Sequence, residues 1–490
     1  MRCRRATNPR CVVILSLAVL PILATSQTAS AAKWRVTPRL EAQVAYTDNV
    51  DLDNAGKESD LVFRVEPGLA IKADGNRLKF QADYDGTLLH FVNDGRTQWR
   101  NHLRSKLHAE VIEDHFYIDA TGVMAEPFVD NTGSVTFSDT NFSINRRQTM
   151  SYSVEPSFEH RLFDIADMRW TYLFRYVTVA KPRSDDPTPR FIDSYMSHRG
   201  QVSADSGDRL GRFHWGATAS YDRRHRGDGR EAEEIDAHLD LEYRIVRWLG
   251  VTGTAGYQKI TDPDLNDDIN GLAWHAGLRF NPTRNTDVKL WYGKQDGENS
   301  FGADAVYRRK RWKFGVTYLH QITTTHRRFA DINEDGQFND FDFFVSDFGS
   351  LLDPDDIVFG IENDTFGSNR LEVNAQWEKR LFSWDARAYY EVRKFDTTDR
   401  EIHEYDIKTR FSQRLNHRTR AVLHLRHRHT DFDLGPSRVD NFYGARAELH
   451  YTFSKYLDAE LAYVFSLLDS NQSINDQTEN VIQFNLRVTF

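Results

Sequence analysis

Residues Ile235-Asp236-Ala237-His238-Leu239-Asp240-Leu241-Glu242-Tyr243-Arg244-Ile245 read as one β-strand with two chemically opposite faces. Successive strand side chains point to opposite sides, so the odd-numbered Ile, Ala, Leu, Leu, Tyr and Ile share an apolar face. The even-numbered residues, Asp236 to Arg244, share a charged one. The same split recurs in Leu272, Trp274, Ala276, Leu278 and Phe280 against His275 and Arg279. It returns in Tyr443, Ala445, Ala447, Leu449, Tyr451 and Phe453 against Arg446, Glu448 and His450.

Such alternation has two physical explanations. In a soluble sandwich the apolar face enters a core and the charged face meets bulk water. In an outer-membrane barrel the apolar face meets lipid and the charged face lines a wet lumen. Segment length favours the barrel: most segments run 10 to 14 residues, whereas sandwich strands are typically about 5–6. Tight connections such as Ala73-Asp74-Gly75-Asn76 and Phe453-Ser454-Lys455-Tyr456 alternate with longer polar ones. Aromatic residues sit beside the tight turns (Trp248, Phe280, Trp312, Phe382, Trp384, Phe453 and Tyr456), where an interfacial girdle belongs. Counting from Arg35 gives an all-β, antiparallel up-and-down transmembrane barrel of 22 strands, or 18 to 24 depending on how the stretches near Ala303 and Asp396 divide. An even number places both termini on the periplasmic side.

The last strand alternates Ile482, Phe484, Leu486, Val488 and Phe490, and Phe490 ends the chain. A terminal aromatic on an alternating strand resembles the signal read by the bacterial barrel-assembly machinery, an expected partner. At the other end, Arg2, Arg4, Arg5 and Arg10 precede the apolar run Cys11 to Ala24, and Ala29-Ser30-Ala31 follows. That is the order of a cleaved secretory signal peptide over residues 1–31, leaving residues 32–490 as the barrel. The apolar run is too short for a membrane anchor. Cleavage would remove four arginines and no acids, taking the net charge from −9 to −13. It would also remove Cys3 and Cys11, so the mature chain has no disulfide and no thiolate chemistry.

The net charge of −9 excludes a generally basic nucleic-acid binder. A mean hydropathy of −0.62 with no second long apolar run excludes a polytopic helical membrane protein.

Lumen-facing positions in the last third carry both signs. Asp385, Arg387, Glu391 and Arg393 are followed by Glu404, Asp406, Lys408 and Arg410, and then by Arg420, His424, Arg426 and Arg428. On adjacent strands these are expected to pair as ladders of opposite charge. They read as a self-satisfied network, or as the wall of a polar conduit in which Arg420, His424, Arg426 and Arg428 form a basic stripe.

A long outer loop is expected over residues 327–367. Within it, Asp331, Asn333, Asp335, Gly336, Gln337 and Asp342 fit the spacing of a calcium loop, with ligands at positions 1, 3, 5, 7 and 12. Asp342 stands where Glu is usual, which is similar to dockerin loops, and Phe338, Phe341, Phe344, Val345, Phe348, Leu351 and Leu352 follow at helical spacing. The stretch from Asp331 to Asp364 holds no Lys or Arg. Ca²⁺ would neutralise it; the other reading is a solvated acidic loop. The acidic runs at Asp51–Asp53 and Asp262–Asp268 read as solvated surface.

No G-x-S-x-G, H-E-x-x-H or phosphate-cradling glycine loop is present. His424, His427 and His429 are near in sequence, but they alternate faces and lack a nucleophile. The expectation is therefore no enzyme, with an outer-membrane lipid hydrolase as the weakest alternative.

Near the start lie Trp34, Pro38-Arg39-Leu40 and Tyr46-Thr47-Asp48-Asn49-Val50, then Ser59-Asp60, Pro67-Gly68, Gly75-Asn76-Arg77 and Tyr84. This run resembles the outer-membrane β-barrel family associated with the PEP-CTERM/exosortase system of Gram-negative bacteria. The match covers about fifty residues, with Tyr46–Asn49 ending the first strand and Tyr84 closing the third. The resemblance implies residence in the outer membrane, with its lipid as a partner, and a part in exporting or assembling extracellular polysaccharide beside periplasmic export components. It carries over no catalytic residues. By themselves, Asp48 and Asn49 read as turn residues that accept backbone hydrogen bonds. The functional expectation is a porin-like conduit for polysaccharide or another hydrophilic solute; the alternative is a plugged adhesive barrel displaying the calcium loop.

Overall fold

A computed structural model of the chain describes residues 32–130, 132–163, 165–183, 191–207, 209–328, 363–396, 398–433 and 437–490. The expected leader, residues 1–31, and the expected calcium ligands Asp331, Asn333, Asp335, Gln337 and Asp342 lie outside them.

Twenty-two strands form among the described residues. The first eleven are β1 (Lys33–Thr47), β2 (Asp60–Asp74), β3 (Leu78–Phe91), β4 (Thr97–Ile112), β5 (Phe116–Ala125), β6 (Thr149–Leu162), β7 (Ala166–Val179), β8 (Tyr195–Asp205), β9 (Phe213–Arg226), β10 (Glu231–Val246) and β11 (Leu249–Thr261). The rest are β12 (Ile269–Phe280), β13 (Thr286–Gln295), β14 (Glu298–Arg309), β15 (Trp312–Thr324), β16 (Thr365–Lys379), β17 (Phe382–Phe395), β18 (Arg400–Arg414), β19 (Thr419–Phe432), β20 (Arg438–Ser454), β21 (Leu457–Ser470) and β22 (Gln477–Thr489). Each pairs antiparallel with its neighbours in sequence, and β22 pairs with β1, so the sheet closes. The tally of 22 strands holds. Ala303 lies inside β14, and Asp396 follows β17 in a hairpin. Tyr84 does not close the third strand: it lies mid-β3, on the outer face.

The closing seam shows how sequence makes the barrel. From Arg39 opposite Thr489 to Thr47 opposite Val481, β1 and β22 stay in register. Val44, Tyr46, Ile482, Phe484 and Leu486 are exposed on the outside. Inside, Arg487 pairs with Glu41 at 2.6 Å, Gln43 donates to Gln483 at 3.0 Å, and Thr47 donates to Glu479 at 3.1 Å. The Phe490 amide donates to the Pro38 carbonyl at 3.0 Å, so the last residue is part of the seam.

Short turns at one end, including 75–77, 310–311, 380–381 and 455–456, contrast with the connections 48–59, 126–148, 180–194 and 325–364 at the other. Barrels of this type place short turns in the periplasm and long loops outside. Trp248, Phe280, Trp312, Phe453 and Tyr456 are exposed around the short-turn end, where the Trp312 ring stacks on Phe314 and tilts against Trp377. Asp296-Gly297 shows why some outer connections are also tight. Both residues have positive φ (54° and 81°), as a two-residue hairpin of the Asp-Gly kind requires.

The Leu239 side chain is exposed on the outward face in the middle of β10. Leu239→Arg is expected to cost about 2–4 kcal/mol in lipid vesicles, the range for a basic residue at the bilayer midplane. Urea unfolding of the vesicle-inserted protein measures this, and an unchanged midpoint would contradict a lipid-facing Leu239.

Candidate functional site

Residues 126–148, between β5 and β6, fold inward. Small polar residues dominate the segment, and Thr136, Ser138, Thr140, Asn141, Ser143 and Asn145 are buried with Phe128, Val129, Val135 and Phe142. A backbone inside a closed barrel must find partners for its own polar groups. The segment does so as a hairpin pinched by the Phe128–Arg146 bridge, with the Val129 amide donating to the Asn145 carbonyl at 2.9 Å. Asn145 clasps the interior: its side chain accepts from the Asp130 amide at 2.7 Å and donates to the Asp130 and Ser134 carbonyls. Gly133 packs against that amide, and a Cβ there would come within 2.6 Å of it.

The barrel wall grips this hairpin from several strands. Arg100 on β4 donates to the Asp139 and Asn141 carbonyls, each at 2.7 Å, and pairs with Glu126 at 3.2 Å. Arg64 on β2 pairs with the Asp139 carboxylate. Burial disfavours that charge, but Arg64, Arg446, Arg100 and Arg146 hold the Asp139 carboxyl well below the usual range. Arg438 on β20 donates to the Thr132 carbonyl, Ser466 on β21 accepts from the Phe137 amide, and Thr136 bonds Glu479 on β22. Phe142 meets Phe91 edge-on at 5.6 Å in a cluster with Ala45, Val50, Leu89, Val464 and Val481.

The predicted lumen charges all project from the inward face, and most are buried. Their pairing follows the expected ladders only in part. Glu391 stands directly opposite Glu404, and Lys408 lies between Arg387 and Arg426, so like signs face each other in register. Asp385 does face Arg410 and Asp406 does face Arg428 in register, while other opposite charges meet on diagonals and through residues the sequence reading missed. Asp406 takes Arg426 at 2.6 Å, Glu404 takes Arg393 at 3.6 Å, and Arg387 reaches Glu372 at 2.8 Å. Fully buried Glu391 gathers Arg328, Arg370, Arg393 and Ser368. Along the basic stripe, Arg426 and Arg428 are buried, Arg420 and His424 are partly exposed, and His424 lies 3.7 Å from Glu448. His427 and His429 face outward, stacked on Tyr443 and Tyr405 respectively. Arg64, Arg100 and Glu479 occupy inward positions that alternation does mark, but nothing in their spacing announces the hairpin they hold.

The acidic run 262–268 is solvated surface only in its second half, where Asp267 and Asp268 are exposed. Asp262 and Asp264 are buried; Asp264 takes Arg226 at 2.7 Å and Arg230 at 2.6 Å and accepts from the Thr365 amide. Nearby, buried His326 donates to the Asp193 carbonyl at 3.1 Å and stacks on Tyr195. Together these clasp both described ends of the longest connection to the rim. Asp48 and Asn49 act as turn residues: Asp48 accepts from Asn480, and Asn49 bonds the backbone of Asp53 and Thr478.

The wall formed by β9 to β13 lines a cavity of about 550 Å³, to which no residue of 126–148 contributes. Among the described residues, the lumen is therefore filled against one side and holds this cavity along the other.

No protein-family model matches the chain, and no curated protein matches it in sequence. Among solved structures it resembles the FrpB iron transporter of Neisseria meningitidis at TM-score 0.52 and 8% identity, covering 94% of this chain and 83% of that one. It resembles the ferric-catecholate import receptor Fiu of E. coli K12 at 0.50 and 10%, covering 94% and 82%. A mutant of the ferric enterobactin receptor of Pseudomonas aeruginosa gives 0.50 and 8%, covering 93% and 80%. At these identities the likeness is one of fold. The chain is a closed 22-strand barrel of the outer-membrane type with an outer connection folded into its lumen.

Arg100→Met removes the ion pair with Glu126 and the donor to two hairpin carbonyls, and removing one partner of a buried pair costs about 3–5 kcal/mol. Limited proteolysis of the detergent-solubilised protein should then cut within 126–148; a wild-type cleavage pattern would contradict the anchoring role. Burial lowers the His326 pKa to about 4, against about 6.5 when unfolded. In that window the unfolded chain binds a proton that the folded one excludes, so stability is lost as pH falls from 6.5 to 4. His326→Gln should flatten that part of a melting-temperature profile, and identical slopes would count against a buried neutral imidazole.

Proposed function

We propose that the chain is an outer-membrane conduit for a hydrophilic solute, narrowed by residues 126–148 and passing along the β9–β13 wall. The observation that carries this reading is the two-sided lumen of the described residues: a hairpin anchored against one wall and a cavity bearing charged and polar side chains beside the other. An apolar outer face with a charged inner one supports residence in a lipid bilayer. The residues at Trp34 to Tyr84 that resemble the PEP-CTERM-associated family support polysaccharide as the solute class. The calcium reading of Asp331–Asp342 rests on spacing alone, and calcium is proposed as a stabiliser of that outer loop. Equal melting temperatures with calcium and with chelator would remove it.

The dense grip on 126–148 favours a second reading, a plugged display barrel. Planar-bilayer conductance separates the two. Wild type is expected to conduct weakly, and replacing 127–147 by a short Gly-Ser link to raise conductance several-fold. A silent wild type together with a silent deletion, both correctly folded, would leave the display reading.

A further inference from the structure

We propose that Trp291 is the stacking platform of a saccharide-binding subsite in the lumen. This deepens the conduit reading and rests on it for its biological place, though the binding itself is testable without transport.

Trp291 sits on the inward face of β13, opposite Gly302 of β14. Gly302 is what lets the indole lie down: a Cβ there would fall 1.9 Å from Trp291 Cε2. The ring therefore lies over Gly302 against the wall, and Trp291 lines the cavity of about 550 Å³, within the usual span of small-molecule pockets, about 300–1,000 Å³. Polar side chains line it beside the indole and several glycines. Asp240 and Glu242 come from β10, Thr254 from β11, His275 from β12 and Lys289 from β13.

Two of these groups have unused hydrogen-bonding capacity among the described residues. His275 Nε2 is buried without a partner. Lys289 is exposed at an inward position and makes no ion pair or hydrogen bond there. By contrast, Asp240 already accepts from Thr254 at 2.5 Å, and Glu242 holds Arg279 at 3.2 Å.

A flat π-face ringed by donors and acceptors selects a particular kind of solute. A pyranose presents slightly positive C–H groups on its face, which meet the negative ring face, and hydroxyls around its rim. An apolar aromatic would leave His275 and the surrounding charges desolvated and unpaired. Lys289 adds a preference for sugars bearing a carboxylate.

The test is isothermal titration of the detergent-solubilised full-length protein with maltohexaose and with hexagalacturonate. Wild type is expected to bind both, the acidic chain more tightly. Trp291→Ala should weaken both at least tenfold and Trp291→Phe less than threefold. Gly302→Ala should weaken both by displacing the indole while leaving Trp291 in place. Lys289→Ala should weaken the acidic chain alone. Heat-modifiable mobility and circular dichroism establish that each variant folds. No binding by wild type, or unchanged binding by folded Trp291→Ala and Gly302→Ala, would overturn the subsite. Binding with no bilayer conductance would overturn the conduit and leave the subsite standing.

Discussion

In hydrocarbon no water is available to satisfy a backbone amide or carbonyl, and each unpaired group costs several kcal/mol. A sheet of 22 strands therefore has to close, and the β1–β22 register is the contact on which the rest depends. Once Arg39–Thr47 and Val481–Thr489 are paired, no strand edge remains, and the side of every other strand that faces lipid follows from the two-residue period. The seam is also reinforced from inside, by Glu41–Arg487 and Gln43–Gln483.

Closure on this scale creates a second problem, an interior much wider than two layers of side chains. The chain fills part of it with residues 126–148 and holds them with hydrogen bonds from wall arginines to their backbone carbonyls. The remainder of that wall is a mesh of ion pairs. Interior pairs are costly to break because a lone buried charge has no water to turn to. Glu391 with its arginines and Asp406 with Arg426 thus behave as rigid struts. The β9–β13 wall is built differently, with inward glycines at Gly256, Gly277 and Gly293 and the Trp291 indole laid across Gly302 of the neighbouring β14. Rigid filling on one side and a low, glycine-lined surface on the other make the lumen eccentric.

Likeness to iron and siderophore receptors at 8–10% identity illustrates how little the barrel asks of particular residues. Many outward Leu, Tyr and Phe choices satisfy the lipid, so the likeness extends to the fold and no further.

Alternation along Ile235–Ile245 and along the last strand was enough to read off strand type, lipid-facing residues, lumen charges and the number of strands, because strand geometry is local and its period is two. The turn role of Asp48 and Asn49 was legible for the same reason. What alternation could not convey is which lumen groups meet. Glu391 meets its register partner Arg370 on β16 but also Arg328, which comes from the connection after β15 and which no strand pattern places there, and Asp264, acidic and loop-borne, ends up buried between Arg226 and Arg230. The inward hairpin was equally hidden: its Ser, Thr and Asn residues look like any solvated loop, and only the closed wall around them supplies the partners that make burial favourable.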